Sequence, residues 1–257
     1  MKHLSTFILL FLVFASTALR AQEYKIPVEN TKEGRLTLDN FTGDLPIEGY
    51  SGSEIIVSGT SENFETPERA KGLKPVYGGG TDNTGLAIFF EKEGNKITLH
   101  CLVPITRSAS YRIRVPENLA LKIVRGFEKN GHTTIENMKN EVEFKGCHSI
   151  TLKNVTGPLV VSTISGNVNV VFSEISKDKP ISLASISGEV DVTLPAKAAV
   201  NVEMSTITGG MFTDFDLTTD SKEMRRVGGG KIRSQINGGG TDLRLNNISG
   251  NIYLRKG

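Results

Sequence analysis

Leu243 to Leu254 reads LRLNNISGNIYL, Ile150 to Val161 reads ITLKNVTGPLVV, and Leu36 to Ile47 reads LTLDNFTGDLPI. The three align without gaps. Their shared form is aliphatic, any, Leu, any, Asn, apolar, Ser/Thr, Gly, any, aliphatic, any, aliphatic. Weaker copies lie between them: Thr133 to Phe144 (TTIENMKNEVEF), Leu159 to Val170 (LVVSTISGNVNV), Ile181 to Val192 (ISLASISGEVDV) and Val202 to Thr213 (VEMSTITGGMFT). A unit repeated in this way decides the architecture before any single residue does.

Each slot has a physical reading. Positions one, three, ten and twelve alternate with polar residues, so they point into one interior. Position eight is Gly in six of the seven copies and Asn in the other. Both residues tolerate positive φ, so a bend with positive φ is expected there. On that reading Gly188→Val is more damaging than Gly188→Asn. Position five is Asn40, Asn137, Asn154, Asn247, Thr163, Ser185 or Thr206. A small polar side chain before a bend can bond to the turn backbone or, stacked rung on rung, form a ladder.

Gly166, Gly188 and Gly209 are 22 and 21 residues apart, which suits a coil of two short strands and two corners. One coil cannot bury its apolar face alone, so coils must stack. The expected fold is all-β: a parallel β-solenoid or β-helix-like stack of short strands, preceded by a less regular β-region. An antiparallel sandwich is the alternative. Stacking would set Val168 beside Val190 and bring Ile164 towards Ile186 and Ile207.

The expected organisation is a signal peptide over 1–21, an N-terminal β-region with a short helix and a glycine-rich loop over 22–117, and the strand-repeat solenoid over 118–257. The leader is read from Lys2, the apolar run Phe7 to Ala15, and small residues up to Ala21. That run is shorter than the ~20 apolar residues a spanning helix needs, so no membrane span is expected in the mature chain. In the N-terminal region the expected strands are Tyr24 to Val28, Arg35 to Asn40, Ile55 to Gly59, Leu86 to Glu91, Lys96 to Cys101 and Tyr111 to Val115. The expected helix is Thr66 to Lys71, and a hairpin turn is expected at Glu93-Gly94-Asn95.

The whole chain has 30 basic and 28 acidic residues. Lys2 and Arg20 belong to the leader, so 28 of each sign remain. A neutral mature chain gives a nucleic-acid partner no electrostatic support. The residues leave open whether Cys101 and Cys147 pair; two half-buried thiols is the simpler reading.

The Ile-Ser-Gly-polar-aliphatic units, the Ile113-Arg-Val-Pro116 step into Leu119-Ala-Leu-Lys-Ile, and the closing run from Asn247 to Arg255 together resemble the bacterial adhesin-like β-strand-repeat family. That family is a domain of unknown function, and the resemblance spans essentially the whole mature chain. It implies a solenoid-like fold and a cell-envelope setting. It brings no catalytic residues.

Several residue sets bear on chemistry. Gly78-Gly-Gly80-Thr81-Asp82 and Gly238-Gly-Gly-Thr241-Asp242 evoke calcium-binding turns, but the copies are not in tandem. Asn40-Phe-Thr, Asn154-Val-Thr and Asn247-Ile-Ser match a glycosylation pattern, most simply a by-product of position five. Glu136, Glu141, Glu143, Glu189 and Asp191 sit on the polar parity, where a carboxylate pair could serve a glycosidase or lyase. His100, His132 and His148 are scattered, with no metal-ligand spacing. The sequence therefore nominates no catalytic, cofactor-binding or metal-ligating residue. The expected protein is a non-enzymatic exported envelope component in the periplasm, on the outer membrane or outside the cell. It would be an adhesin-like structural or binding module whose partner is an unknown envelope protein or surface glycan. The alternatives are a polysaccharide-active β-helix enzyme, and an envelope scaffold or signalling component with a protein partner.

Overall fold

The period-two alternation of the quoted stretches becomes strand, corner, strand. The computed structural model describes residues 22–59, 68–70, 80–104, 109–126, 131–177, 179–217 and 229–257. The expected leader lies outside them. Of the expected helix, a 3₁₀ turn at Glu68–Ala70 is described and the rest lies outside the described residues.

In chain order the first strands are β1 (Gln22–Pro27), β2 (Arg35–Asp39), β3 (Leu45–Tyr50), β4 (Glu54–Gly59), β5 (Ile88–Glu93), β6 (Lys96–Cys101) and β7 (Tyr111–Pro116). Next come β8 (Ala120–Val124), β9 (Thr133–Glu136), β10 (Val142–Gly146), β11 (Ile150–Val155), β12 (Leu159–Thr163), β13 (Val168–Phe172), β14 (Ile181–Ser187) and β15 (Val190–Leu194). The last are β16 (Val200–Thr206), β17 (Met211–Thr213), β18 (Gly230–Ile236), β19 (Thr241–Ser249) and β20 (Ile252–Lys256). They form two ten-stranded sheets. Sheet A runs β1-β4-β7-β3-β9-β11-β13-β15-β20-β17, and sheet B runs β18-β16-β19-β14-β12-β10-β8-β2-β6-β5.

Pairing is parallel through the body of both sheets. Antiparallel strands occur towards the ends, at β1-β4-β7, β5-β6 and β18-β16. The chain is thus an all-β, solenoid-like stack. Val168 pairs in parallel with Val190, both fully buried, which excludes the antiparallel sandwich. The hairpin at Glu93-Gly94-Asn95 joins β5 to β6, with Gly94 at φ 57°. The expected boundary near 117 falls inside sheets that continue across it. β2 and β3 pair with β8 and β9, and the buried side chains form one core.

The twelve-residue repeat is a corner with half a strand pair on each side, and it serves both edges of the stack. Copies at 159–170, 181–192, 202–213 and 243–254 lead from sheet B to sheet A, whereas those at 133–144 and 150–161 lead from A to B. Two corners make one coil. Ile150 follows its partner Thr133 by 17 positions, and Val190 follows Val168 by 22.

Positive φ falls at position eight in only two of the copies: Gly43 (φ 73°) and Gly250 (φ 148°) have it, but Gly157, Gly166, Gly188 and Gly209 are not among the positive-φ residues. What requires glycine there is proximity. A Cβ on Gly188 would strike the carbonyl of Gly166, one on Gly250 would strike that of Gly188, and one on Gly209 would strike that of Gly250. Backbone lies directly on backbone from rung to rung. Position-five side chains complete this contact. Ser185 Oγ donates to the Gly166 carbonyl (2.9 Å), Asn247 Nδ2 to that of Gly188 (2.5 Å) and Thr206 Oγ1 to that of Gly250 (3.2 Å). All three residues are buried. The turn bonding and the ladder are therefore one device: each donor bonds to the turn of the rung beneath it.

Positive φ appears instead at position five of the other corners: Asn40 (57°), Asn137 (62°) and Asn154 (53°). Turning one residue earlier flips the parity of the residues after the bend. Position six then points inward, as Phe41, Met138 and Val155 do. In the tight corners it points outward, as Ile164, Ile186, Ile207 and Ile248 do.

One coil is out of sequence order. β19 lies between β14 and β16, and β20 between β15 and β17. Ile207 therefore does not neighbour Ile186, as equal spacing had suggested; Ile248 comes between them.

Gly188→Ala, Gly188→Asn and Gly188→Val are expected to destabilise alike, by about 1–3 kcal/mol each, since every one introduces a Cβ against a carbonyl. Denaturant unfolding measures this. An Asn variant as stable as the unmodified protein would show that the corner has room.

Candidate functional site

The edge where sheet B turns into sheet A changes character along the stack. At the rungs of β2 and β8 the corners are longer, a short corner without the motif follows β10, and from β12 onward they are the tight Ile-Ser/Thr-Gly type. Where one kind gives way to the other there is a cleft of about 530 Å³ lined by Asp44, Gly131, His132, Cys147, His148, Ser149 and Ser165. Buried Arg125 ties the corners together nearby, donating to Thr133 Oγ1 (2.9 Å) and to the Gly43 carbonyl (2.6 Å). His132 and His148, distant from each other's chemistry in the sequence, thus share one cleft with a cysteine. Only rung order brings them together.

The cleft's groups do not form a relay. Asp44 Oδ1 accepts from the backbone N–H of His132 (2.9 Å) rather than from its ring. The His132 ring shares a hydrogen with Thr151 Oγ1 (2.9 Å), and Ser149 Oγ accepts from the Asn167 N–H (3.0 Å). His148 Nε2 is buried without a hydrogen-bond partner. No group of three or more His, Cys, Asp or Glu among the described residues is placed to hold a metal ion. Cys101 and Cys147 are not joined. β2 and β8 separate their strands, so they are three rungs apart, or ~14 Å at ~4.8 Å per rung, well beyond disulfide reach.

The acidic residues on the strand faces are engaged by cations. Glu141 lies 3.1 Å from both Arg35 and Lys179, Glu143 2.9 Å from Lys122, and Glu136 3.6 Å from Lys153. Asp191 takes two bonds from Arg255 (2.8 and 2.9 Å), and Glu189 accepts from the Tyr253 hydroxyl (3.2 Å). Burial raises the pKa of Glu141, but the Lys179 hydrogen bond and the Arg35 charge outweigh it and hold it below the usual range. Lys231 and Arg233 lower that of Glu203 in the same way. A glycosidase acid needs the opposite shift. At Asp82 burial is likewise outweighed, here by N–H donors of Thr84, Ala87 and Gly85 and by the Thr84 hydroxyl, so this carboxylate closes its own loop. Asp242 accepts from Asn201 (3.0 Å). Asn40 and Asn154 are exposed rather than inward, because their left-handed corners turn them out; Asn247 is buried in the ladder.

Above the cleft the same edge carries a row of exposed isoleucines on the outer face of sheet B. Ile164 (39% exposed), Ile186 (46%), Ile248 (45%) and Ile207 (66%) occupy successive rungs. The Ser187 N–H donates to the Ile164 carbonyl and the Thr208 N–H to that of Ile248, which fixes the register. The repeat pattern left the direction of this slot open. Its alternation with the buried ladder residue beside it was the available signal.

A family model described as Toastrack DUF4097 matches residues 12–255. Among solved structures, a provisionally named cell adhesion protein from Clostridium sporogenes is similar at 16% identity and a TM-score of 0.47, over 93% of this chain and 100% of its own. A provisionally named adhesin from Bacteroides fragilis follows at 10% identity and 0.37, over 93% and 98%. Overlap at that level carries no argument about this chain's action. No curated protein matches it.

One titrating group sits at the other end of the stack. His100 on β6 lies 3.0 Å from Asp39 and 3.1 Å from Glu91. Burial lowers its pKa, but the bonds to Glu91 and Asp39 prevail and raise it. A raised pKa stabilises the fold below the ordinary histidine range, and that contribution is lost as pH rises through the raised value. The stability advantage of the unmodified protein over His100→Gln should therefore shrink as pH rises from the ordinary histidine value of about 6.5 into the alkaline range. Melting curves of both proteins across that range test it, and a constant difference would mean the imidazole is not charged in the fold.

Proposed function

The chain belongs to the Toastrack family, and on that premise we propose that it is an exported, non-enzymatic binding module of the cell envelope. It acts through the tight-corner edge and the adjoining face of sheet B. The observation that carries this is the isoleucine row: four large aliphatic side chains held outward at one register, on rungs rigidified by backbone contact and buried donors. Exposed aliphatics grouped in this way mark interaction surfaces.

Two observations weigh against an enzyme. The face carboxylates Glu136, Glu141, Glu143 and Asp191 are paired with neighbouring cations, and pKa values are displaced downward at Glu141 and Glu203. The cleft's imidazole, carboxylate and hydroxyl groups bond away from one another. The apolar row also favours an envelope scaffold reading over a glycan-active one, because sugar sites draw on aromatic platforms and the row has none. Export is supported by the apolar run Phe7 to Ala15 behind Lys2 and the small residues after it. Among the described residues no helix is long and apolar enough to cross a membrane.

Protein recovered from its host should begin at Gln22; an intact Met1 on the mature species would defeat the export half of the proposal. Purified protein should co-sediment with washed envelope material. The double variant Ile186→Ser/Ile248→Ser should lose at least about tenfold in that retention while its stability stays within about 0.5 kcal/mol, as expected of exposed positions. Undiminished retention of the variant would defeat the surface assignment.

A further inference from the structure

We propose that the occupant of the isoleucine face is the surface of a lipid bilayer carrying anionic headgroups. This rests on the binding reading above and gives it a chemical class.

The first argument is shape. On sheet B the outward residues beside the isoleucine row are Ser162, Ala184, Asn246 and Ser205, paired rung to rung in register. These side chains are short, so the isoleucines stand above them as a ridge. Four rungs at ~4.8 Å make the ridge ~14 Å long. Val160, on the outward parity of β12, adds a fifth exposed aliphatic (45%). Protein hot spots are usually paired with pockets on a partner. A ridge of aliphatic side chains held at one register on successive rungs suits a planar and deformable medium, which can mould to all of them together.

The second argument is charge. In the row next to the isoleucines, Lys145 pairs with Ser162 at one end and Lys231 with Ser205 at the other. Arg244 lies between Ser182 and Glu203 in the adjoining row, and Arg233 lies beyond Glu203. Lys145 and Arg244 are exposed, and the side chain of neither makes a hydrogen bond or ion pair among the described residues. Lys231 and Arg233 share Glu203 (2.8 and 2.7 Å). The acids of this block are Glu143, opposite Val160, Glu203 and Asp242; Lys122 matches Glu143 (2.9 Å), so the other four cations leave a surplus of two over Glu203 and Asp242. Aliphatic side chains bordered by surplus cations complement an anionic interface. Glu189 lies round the corner, bonded to Tyr253.

The experiment measures co-sedimentation of the purified protein with two kinds of vesicle, phosphatidylcholine alone and an equal mixture with phosphatidylglycerol. Binding is expected to the mixed vesicles and to be at least about tenfold weaker to phosphatidylcholine alone. Each Ile→Ser change should weaken it about tenfold, so Ile186→Ser/Ile248→Ser loses about a hundredfold. Lys145→Glu/Arg244→Glu should weaken it about tenfold and flatten its salt dependence. Failure of the protein to bind either vesicle, or equal binding by the Ile variant, overturns the bilayer. If vesicles are ignored while retention on envelope material remains isoleucine-dependent, the binding reading survives and a protein partner replaces the lipid. Loss of both defeats both.

Discussion

Everything in this stack depends on one rung's corner resting on the carbonyl of the rung beneath. At Gly166, Gly188, Gly250 and Gly209 the backbones approach so closely that no side chain fits between them. The carbonyls brought into the interior this way would be costly without donors. Ser185, Asn247 and Thr206 supply them. A larger residue at the glycine would hold the corners apart, and the parallel ladders on both sides would lose register with them. The glycine and the polar residue three positions before it are two halves of one contact.

That contact also shapes the surface. Because position five is drawn inward to reach the carbonyl, position six must face out. The isoleucine row is thus a consequence of the interior hydrogen bonds. Where position five is left-handed instead, the apolar residue goes to the core and the edge is built differently, as at Asn137 and Asn154 with their side chains bonded to each other at 2.6 Å. The cleft with His132, Cys147 and His148 occupies the step between wide and tight corners.

The interposed coil shows how far the stack is from a simple winding. After β15 the chain leaves one slot empty, lays down β16 and β17, and returns with β19 and β20 to fill it. The returning segment fits because its Asn247 reaches the Gly188 carbonyl and its own Gly250 carbonyl accepts from Thr206. Each face of the inserted rung matches a different neighbour, and the pairing spans long stretches of sequence, which raises the contact order of the fold.

The sequence by itself determined the strands, the alternation that fills the core, the existence of stacked corners and the family, since each depends on local pattern repeated many times. Lys96 to Cys101 is a strand as read, and Val168 meets Val190 as the spacing required. The tertiary structure alone decided which way each corner turns. Asn154-Val-Thr-Gly and Asn247-Ile-Ser-Gly are one motif, yet Val155 is buried and Ile248 is exposed. Asn154 bonds to another left-handed asparagine, whereas Asn247 meets a glycine carbonyl. A corner takes the conformation that its neighbouring rung can bond to. That neighbour, as the inserted coil shows, need not be the one next to it in the chain.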